Sequence, residues 1–594
     1  MNRIGWSGAL AMLVVPAFAQ GQAPAAKPTF NHDIAPIVFQ YCANCHRPGE
    51  AGPFPLLNYH DVRLHASQIV AVTHSHFMPP WLPDPGPYPF AEERRLSAEQ
   101  IELIRRWVEG GAVEGDPADA PVPPHFEPGW QLGKPDMVLT AQKPFQLPAT
   151  GTDVYWNFIL PVPIDRTRWV RAVEIRPGDK RLVHHANILL DRLGSAREFE
   201  KTPGAGFGGM EIRVESETFD PDSHLLFWKP GTPPAEQPRG MALRLDKGTD
   251  LLLNAHLQPS GKPEWIQPSV GLYFTDEAAT LRPMLLEIEN DAALKIPPGV
   301  SGFRVGDTFT LPIDVDLLAI YPHAHYLGKD LQAIAKFPNG TEKTLLHIPH
   351  WDLNWQAVYG YARPVSLPKG TAVEMRYVYD NSANNPSNPN SPPAAVYGGN
   401  RAKDEMAHLW LQVLPQDSGQ SGDPRLVLQE ALSRHEIERD PTVFEAQYNL
   451  AAVLMNRGEA AEAIDHYAAA ARIRPKDPVV RNALGSAQTA GGQLRSAIKE
   501  FETALDLRPN YFDARYNLGL ALASANDFQR AENEFRKASQ LKPEDPDAHA
   551  NLGAALAQLG RYPEAQSELQ LALKLKPDSQ LAQENLSALK ELLR

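Results

Sequence analysis

The sequence predicts a multidomain protein with a small all-α unit, two antiparallel β-sandwiches and a C-terminal all-α solenoid. Three observations support this prediction: an amphipathic helical region near the start, many short apolar runs in the middle, and a 34-residue repeat at the end. The 594 residues exceed one ordinary core, since a domain usually holds about 100–200 residues. With 43% hydrophobic and 22% charged residues, most of the chain is expected to fold. The net charge of −14 argues against a nucleic-acid partner.

The chain begins with the features of a secretory signal peptide, which we place at residues 1–19. Arg3 precedes an apolar stretch, and Ala17-Phe18-Ala19 has the small-x-small form of a cleavage site. The apolar stretch is too short for a transmembrane helix, which favours a cleaved signal over an uncleaved anchor. We therefore expect the mature protein to be periplasmic or secreted.

Residues 28–118 are predicted to form a small helical unit that carries one covalently bound c-type haem. Cys42-Ala-Asn-Cys45-His46 has the C-x-x-C-H spacing, in which two thiols bond to the porphyrin and the histidine reaches the iron. A thioredoxin-like dithiol would not require His46. Half of a zinc site is the other alternative, and the chain has no second cysteine pair to complete it.

An electron-transfer haem of this kind needs a second axial ligand, for which Met78 is the preferred candidate. Met78 lies in a proline-containing loop, and the prolines would hold that loop rigidly over the ring. His74 and His76 compete for the same role. With its closing amphipathic helix, which contains Trp107, the unit resembles a small class I cytochrome c domain.

The middle of the chain is predicted to form two β-sandwiches, at residues 129–280 and 281–414. Short apolar runs there alternate with proline, glycine and asparagine, which is typical of many short strands joined by turns. Five histidines and one methionine of this region form an ordered set of candidate metal ligands: His184, His185, His256, His323, His325 and Met406.

Two pairs within this set differ in what they require of the backbone. His323 and His325 are two residues apart, so on a strand both side chains point to the same side, as two ligands of one metal should. His184 and His185 are adjacent and would normally point to opposite faces. Both can bind one ion only where a bulge or a strand end turns one of them.

The ordered set on a two-sandwich background resembles the copper type II, ascorbate-dependent monooxygenases, which include peptidylglycine α-hydroxylating monooxygenase and dopamine β-monooxygenase. The resemblance implies two copper ions. The first three histidines would hold the electron-transfer copper, and His323, His325 and Met406 would be the catalytic ligands of the copper where O2 binds. Zinc is the competing metal at either site, and the thioether of Met406 favours copper because soft sulfur stabilises Cu(I).

The function implied is an exported monooxygenase that hydroxylates a C–H bond of a small organic substrate with O2. We hypothesise that the haem relays electrons to the copper held by the first three histidines. The sequence departs from the peptide-amidating members at Tyr321, where they have an arginine, and at His408 and Trp410, where they have asparagine and tyrosine. A peptidylglycine substrate is therefore not expected.

Residues 423–594 are predicted to be tetratricopeptide repeats, each a helix, a Gly or Asn turn, a second helix and a proline stop. Four prolines recur every 34 residues: Pro475, Pro509, Pro543 and Pro577. Such arrays bind peptides or proteins on a concave surface, so a partner protein or a redox partner is expected to dock here, with a spacer as the alternative. In a non-catalytic interpretation, the whole chain is a haem and copper electron-transfer or scaffold protein that acts through these repeats.

Overall fold

The computed structural model describes residues 27–127, 129–151, 154–210, 224–416 and 422–593. The predicted signal peptide lies outside the described residues. The chain divides into two compact units, which are described separately below. Within the described ranges, none of the helices has the length and apolar character needed to cross a membrane.

The first unit is helical and consists of the described residues up to Pro48 together with Gly52–Pro80 and Arg94–His125. Its helices are α1 (Ala35–Tyr41), α2 (Tyr59–Leu64), α3 (Ala66–His74) and α4 (Ala98–Glu109), preceded by a π-helical turn at Phe30–Ile34. Ser97 and Gln100 form a capping box at the start of α4. Trp107 of α4 is buried against Phe30, and its indole nitrogen donates to the Val113 carbonyl oxygen.

The segment Trp81–Glu93 interrupts the predicted haem unit, because it packs with the second unit. The Asp84 amide donates to the His347 carbonyl oxygen, and Phe90 lies in the same apolar core as Tyr361. The predicted span 28–118 is therefore not one continuous structural unit. The apolar side chains of this segment pack into the core of the second unit, and the local sequence does not indicate this packing.

Within the described residues, the second unit begins with eleven strands, of which nine form two larger antiparallel sheets around one core and two form a separate pair. These strands are β1 (Met137–Thr140), β2 (Phe145–Leu147), β3 (Val154–Pro161), β4 (Arg168–Arg176), β5 (Val183–Asp191), β6 (Phe207–Gly208), β7 (His224–Trp228), β8 (Leu243–Leu245), β9 (Asp250–Leu257), β10 (Glu264–Ile266) and β11 (Ser269–Thr275). The sheet orders are β1-β11-β4-β8 and β6-β3-β9-β5-β7, with β10 paired to β2. Buried Ile175 from one sheet and Leu253 from the other belong to the same core, as expected of face-to-face packing.

Ten further strands form a second pair of sheets. They are β12 (Met284–Glu289), β13 (Lys295–Ile296), β14 (Ser301–Thr310), β15 (Val315–His323), β16 (Gly328–Lys336), β17 (Glu342–Ile348), β18 (Tyr359–Leu367), β19 (Ala372–Asp380), β20 (Val396–Tyr397) and β21 (His408–Pro415). The sheet orders are β12-β21-β15-β18 and β14-β19-β16-β17, with β13 paired to β20. Buried Leu411 and Met375 join the two sheets in one core. The prediction of a β-rich middle region is confirmed.

Ten helices follow, as the 34-residue repeat predicts. They are α5 (Pro424–Arg439), α6 (Phe444–Asn456), α7 (Ala460–Ile473), α8 (Pro478–Ala490), α9 (Leu494–Leu507), α10 (Phe512–Ser524), α11 (Phe528–Leu541), α12 (Pro546–Gln558), α13 (Tyr562–Leu575) and α14 (Gln580–Leu592). The turn within each pair contains a residue with positive φ, namely Gly458, Gly492, Asn526 and Gly560. Glycine and asparagine recur there because they adopt this left-handed conformation at low cost.

Helix α5 is attached to the second pair of sheets through Asp307 of β14. The Asp307 carboxylate lies 2.9 Å from His435 Nε2 and also accepts from the Arg439 guanidinium. Its side chain is only 8% exposed, so these two partners balance the cost of burying its charge. This contact joins the helical repeats to the β region inside the second unit.

We expect Asp307→Asn to destabilise the second unit by about 2 kcal/mol, within the range for hydrogen bonds to charged groups. Burial by itself raises the pKa of Asp307, but His435 and Arg439 outweigh it and hold the pKa below its ordinary value of 3.8. The carboxylate therefore stabilises the fold above that pH, and its contribution is lost as the pH falls through the lowered pKa.

Urea denaturation followed by circular dichroism measures this effect, with Glu342→Gln as the control because Glu342 forms only an exposed pair with Lys336. The gap between Asp307→Asn and the wild type should narrow in strong acid. Equal stability of the two proteins at neutral pH would contradict the assignment.

Candidate functional site

The first three candidate histidines lie on two neighbouring strands of the first pair of sheets. His184 and His185 are on β5, and His256 is on β9, the strand that pairs with it. The pairing shifts register between Val183 and His185, and His185 lies directly opposite His256. This irregularity is the bulge that two adjacent histidines require in order to face one point.

The structure brings these three imidazoles into one cluster. One ring nitrogen from each of the three lies within 4.8 Å of the others. The ring centroids of His185 and His256 are 5.0 Å apart, and Tyr155 stacks on His256 at 4.3 Å. A cluster of three half-buried imidazoles at this spacing can hold one metal ion.

The surroundings of His185 favour its neutral form. Burial lowers the pKa of His185 well below its ordinary value, and the neighbouring His256 and His184 lower it further. A neutral imidazole has a lone pair that can bind a metal, whereas a protonated one does not. His185 is therefore suited to binding a cation without first losing a proton.

The second histidine pair lies at the end of β15. The ring centroids of His323 and His325 are 5.2 Å apart, with the ring planes nearly perpendicular. His323 Nδ1 donates to Gln356 Oε1 at 2.8 Å, and His325 Nδ1 donates to the Asp404 carbonyl oxygen at 2.9 Å. Hydrogen bonds at Nδ1 fix the ring orientation in the way found for histidines that bind metal through Nε2.

Met406 lies beside this pair because of the buried residue that precedes it. Glu405 Oε2 accepts from the His325 amide at 2.8 Å and from the Met406 amide at 3.2 Å. The Tyr379 hydroxyl donates to the Met406 carbonyl oxygen. The same carboxylate oxygen thus holds both backbones, which places Met406 next to His325.

Sequence reasoning missed Glu405 and Gln356, the two residues that organise this second pair. Glu405 is fully buried, and burial raises its pKa to about 8 although three backbone amides act in the opposite direction. Gln356 is also buried and accepts from the Tyr321 hydroxyl as well as from His323. Neither residue has a local motif, since its role depends on a partner distant in the chain.

Aromatic side chains lie between the two groups of histidines within the second unit. The Phe227 ring is 5.5 Å from His185 and 4.7 Å from Tyr321. Tyr321 is in turn stacked on Trp410 at 5.0 Å and lies 6.1 Å from His323. The residue that departs from the peptide-amidating pattern, Tyr321, is thus part of an aromatic contact that connects both groups.

An open cavity of about 480 Å³ adjoins the first cluster. Tyr155, which stacks on His256, lines this cavity together with Phe145 and Trp156. The loop Asn400–Ala402, which leads towards Met406, lines another part of it. The aromatic lining suits an apolar or aromatic small molecule.

The C-x-x-C-H motif lies just after α1 in the first unit. Burial, with a smaller contribution from Cys45, raises the pKa of the Cys42 thiol to about 12. His46 Nδ1 donates to the Phe54 carbonyl oxygen at 3.1 Å, which orients the ring for ligation through Nε2. A Cβ on Gly52 would lie 2.6 Å from the Cys45 carbonyl oxygen, so the turn around the motif requires glycine.

The candidates for the second haem ligand differ in exposure. His74 at the end of α3 and His76 after it are exposed, whereas Met78 is half-buried. The Met78 amide donates to the Val72 carbonyl oxygen, which folds the loop back on α3. The choice of Met78 as an axial ligand stays a prediction.

Comparison with known proteins identifies the C-terminal repeats. Sequence models of the tetratricopeptide repeat match residues 417–478, 485–526 and 522–589. The predicted repeats are confirmed, and they support a protein-interaction role for this part of the chain. No curated protein matches the chain.

Two solved structures resemble part of the chain at 24% sequence identity. YrrB, described as a tetratricopeptide repeat protein with an unusual peptide-binding site, aligns with 27% of this chain and 82% of its own, with a TM-score of 0.26. A structure of MamA aligns with 26% of this chain and 84% of its own, with a TM-score of 0.25.

We expect Cys42→Ser to weaken or abolish covalent haem attachment, because one of the two thioether bonds can no longer form. Absorbance of the protein after acidic acetone extraction measures the haem that remains attached. Asn44→Ser is the matched control, since it introduces the same residue within the motif and leaves both thiols and His46 in place. Undiminished acid-stable haem in Cys42→Ser would contradict the haem assignment.

Proposed function

We propose that the protein is an exported, copper-dependent monooxygenase that hydroxylates a C–H bond of a small organic substrate with O2. In this proposal two copper ions bind in the β region, and a c-type haem on the first unit supplies electrons. The convergence of His184, His185 and His256 supports the proposal most directly. Three imidazoles from separate parts of the chain meet at one point, as a metal centre requires.

The residues present fit copper at both places. The first cluster offers three imidazoles, and the second pair offers two oriented imidazoles with Met406 alongside. Copper would supply one-electron redox chemistry and O2 activation there, and a thioether beside imidazoles favours its reduced form. Zinc also accepts three histidines, so Met406 is the feature that favours copper.

The surrounding residues of the β region have three separate tasks in this proposal. Gln356 and the Asp404 carbonyl hold the two imidazoles of the second pair in fixed orientations. Glu405 keeps Met406 close to them. Phe227 and Tyr321 fill the space between the histidine groups with apolar rings, which excludes water from the region that joins them.

The substrate is expected to be apolar or aromatic and not to be held through a carboxylate at position 321. The cavity is lined by the aromatic rings of Phe145, Tyr155 and Trp156 on one side and by the loop with Arg401 on another. At the position where the peptide-amidating monooxygenases have an arginine, Tyr321 is half-buried, and its hydroxyl donates a hydrogen bond to Gln356. A carboxylate would therefore find no cationic side chain at that position.

The repeats support a second candidate function, in which the chain acts as a scaffold or as an electron-transfer protein without catalysis. The match of residues 417–589 to tetratricopeptide repeat models is the observation that favours it. The two functions are compatible, because a partner held by the repeats can also deliver electrons. They differ in one respect: only the monooxygenase requires intact O2-site ligands.

We expect Met406→Ile to abolish substrate-dependent O2 uptake while haem absorbance stays unchanged, because isoleucine removes the sulfur ligand but keeps a similar volume. An oxygen electrode measures uptake in the presence of a reductant and a panel of small aromatic substrates. Met455→Ile, in helix α6 of the repeats, is the matched control. Full activity of Met406→Ile would remove the proposed O2 site, and an absence of substrate-dependent uptake in the wild type would favour the scaffold.

We expect His256→Ala to remove one of the two copper ions from the copper-loaded protein, since two remaining imidazoles bind copper far less tightly than three. Elemental analysis of the dialysed protein gives copper, zinc and iron per chain. His347→Ala serves as the control, because His347 contacts Asp330 on the opposite side of the second core. Copper content equal to that of the wild type would exclude His256 as a ligand.

A further inference from the structure

A third group of potential ligands lies on the second pair of sheets, one strand away from His323. In the register of β12, β21 and β15, Glu289 is opposite His408, and His408 is opposite His323. Glu287 is two residues before Glu289 on β12, so both carboxylates project from the same face as His408. Asp291 follows directly after the strand.

His408 is the centre of this group. It is 7% exposed, with Nδ1 2.6 Å from Glu287 Oε1 and Nε2 3.0 Å from Asp291 Oδ2. Glu289 Oε2 lies 3.6 Å from the same Nε2. The two ring nitrogens of this buried imidazole thus face three carboxylates.

The directions of these contacts are unusual for hydrogen bonds. Neither ring nitrogen of His408 forms a hydrogen bond of acceptable geometry, although carboxylate oxygens lie within 3.0 Å of both. A hydrogen-bond acceptor lies close to the axis of the ring N–H, whereas oxygens that share a metal ion with an imidazole lie beside that axis. The oxygens at a given ring nitrogen of His408 are therefore placed where fellow ligands of an ion bound to that nitrogen would lie.

The charge around His408 also favours a bound cation. Glu436 of helix α5 adds a fourth carboxylate nearby, and burial together with Glu289 and Glu287 raises the pKa of Glu436 to about 8. Arg439, the closest guanidinium, is already bound to Asp307 and to the Glu289 carbonyl oxygen. Negative charge is thus in excess at a partly buried place, and a divalent cation would neutralise it.

We propose that His408, Glu287 and Glu289 form a binding site for a divalent cation of the Mn²⁺ or Zn²⁺ class, which His408 would bind through one of its ring nitrogens. One ligand atom each from Glu287, Glu289 and His408 lies within 4.8 Å of the others. Carboxylate oxygens with one imidazole suit these cations, whereas Cu(I) prefers sulfur. The site is separate from the second histidine pair, because the His408 and His323 ring centroids are 6.5 Å apart. It does not depend on the proposed monooxygenase.

Mn²⁺ binding to the chelator-treated full-length protein tests this site, since the EPR signal of free Mn²⁺ disappears when the ion is bound. We expect the wild type to bind one ion. Glu287→Gln/Glu289→Gln should bind it at least about tenfold more weakly. The single variant Glu287→Gln provides a milder test, because the Glu287 side chain is 38% exposed and its replacement should not disturb the fold.

Two control variants distinguish ion binding at this site from binding at exposed carboxylates and at the first histidine cluster. Glu342→Gln changes an exposed glutamate elsewhere in the second pair of sheets, and His184→Ala/His256→Ala dismantles the first cluster. Both are expected to bind Mn²⁺ as the wild type does. An absence of Mn²⁺ binding in the wild type, or unchanged binding in both glutamate variants, would overturn the proposal and leave His408 as an imidazolium paired with carboxylates. Loss of binding in the first-cluster variant would assign the ion to that cluster instead.

Discussion

The buried carboxylate of Glu405 is the contact on which the second histidine group depends. It accepts hydrogen bonds from the backbone amides of His325, Leu327 and Met406, and it is fully excluded from solvent. Burying a carboxyl group is costly unless its oxygens are bonded, and three backbone donors satisfy them. Through this one side chain, the segment after β15 is held against the segment before β21.

The pairing register of strands β12, β21 and β15 determines which side chains meet beside this second histidine group. With β21 between β12 and β15, His408 has Glu289 on one side and His323 on the other. Two residues further along β21, Trp410 lies between Glu287 and Tyr321 in the same way. Because the side-chain period of a strand is two, all of these residues share one face. A shift of one residue in the register of β21 would replace this row of polar and aromatic side chains with leucines that now lie in the core.

Helix α5 connects this face to the repeats. Arg439 binds the Glu289 carbonyl oxygen and the Asp307 carboxylate, and Glu436 lies close enough to Glu289 for their charges to interact. The first helix of the repeat region is therefore anchored to the strand that carries the acidic residues around His408. A partner that displaced α5 would therefore also act on that strand, because the two elements are in direct contact.

The sequence by itself determined those features that have a short-range or periodic cause. The 34-residue spacing identifies the repeats because every unit must present the same small and apolar residues to its neighbours. The short apolar runs between turns identify the β-rich region for a similar reason. The two-residue spacing of His323 and His325 predicts that they lie close together, although β15 ends at His323 and His325 lies just beyond it.

Only the tertiary structure decided which residues meet across the chain. Glu287 and His408 are 121 positions apart and become neighbours through strand pairing, and Gln356 reaches His323 from a separate connection. Segment Trp81–Glu93 joins the core of the second unit because its apolar side chains are buried there, although the sequence assigns it to the helical unit. Contacts of this kind are set by register and by packing of distant segments, and neither leaves a local pattern in the sequence.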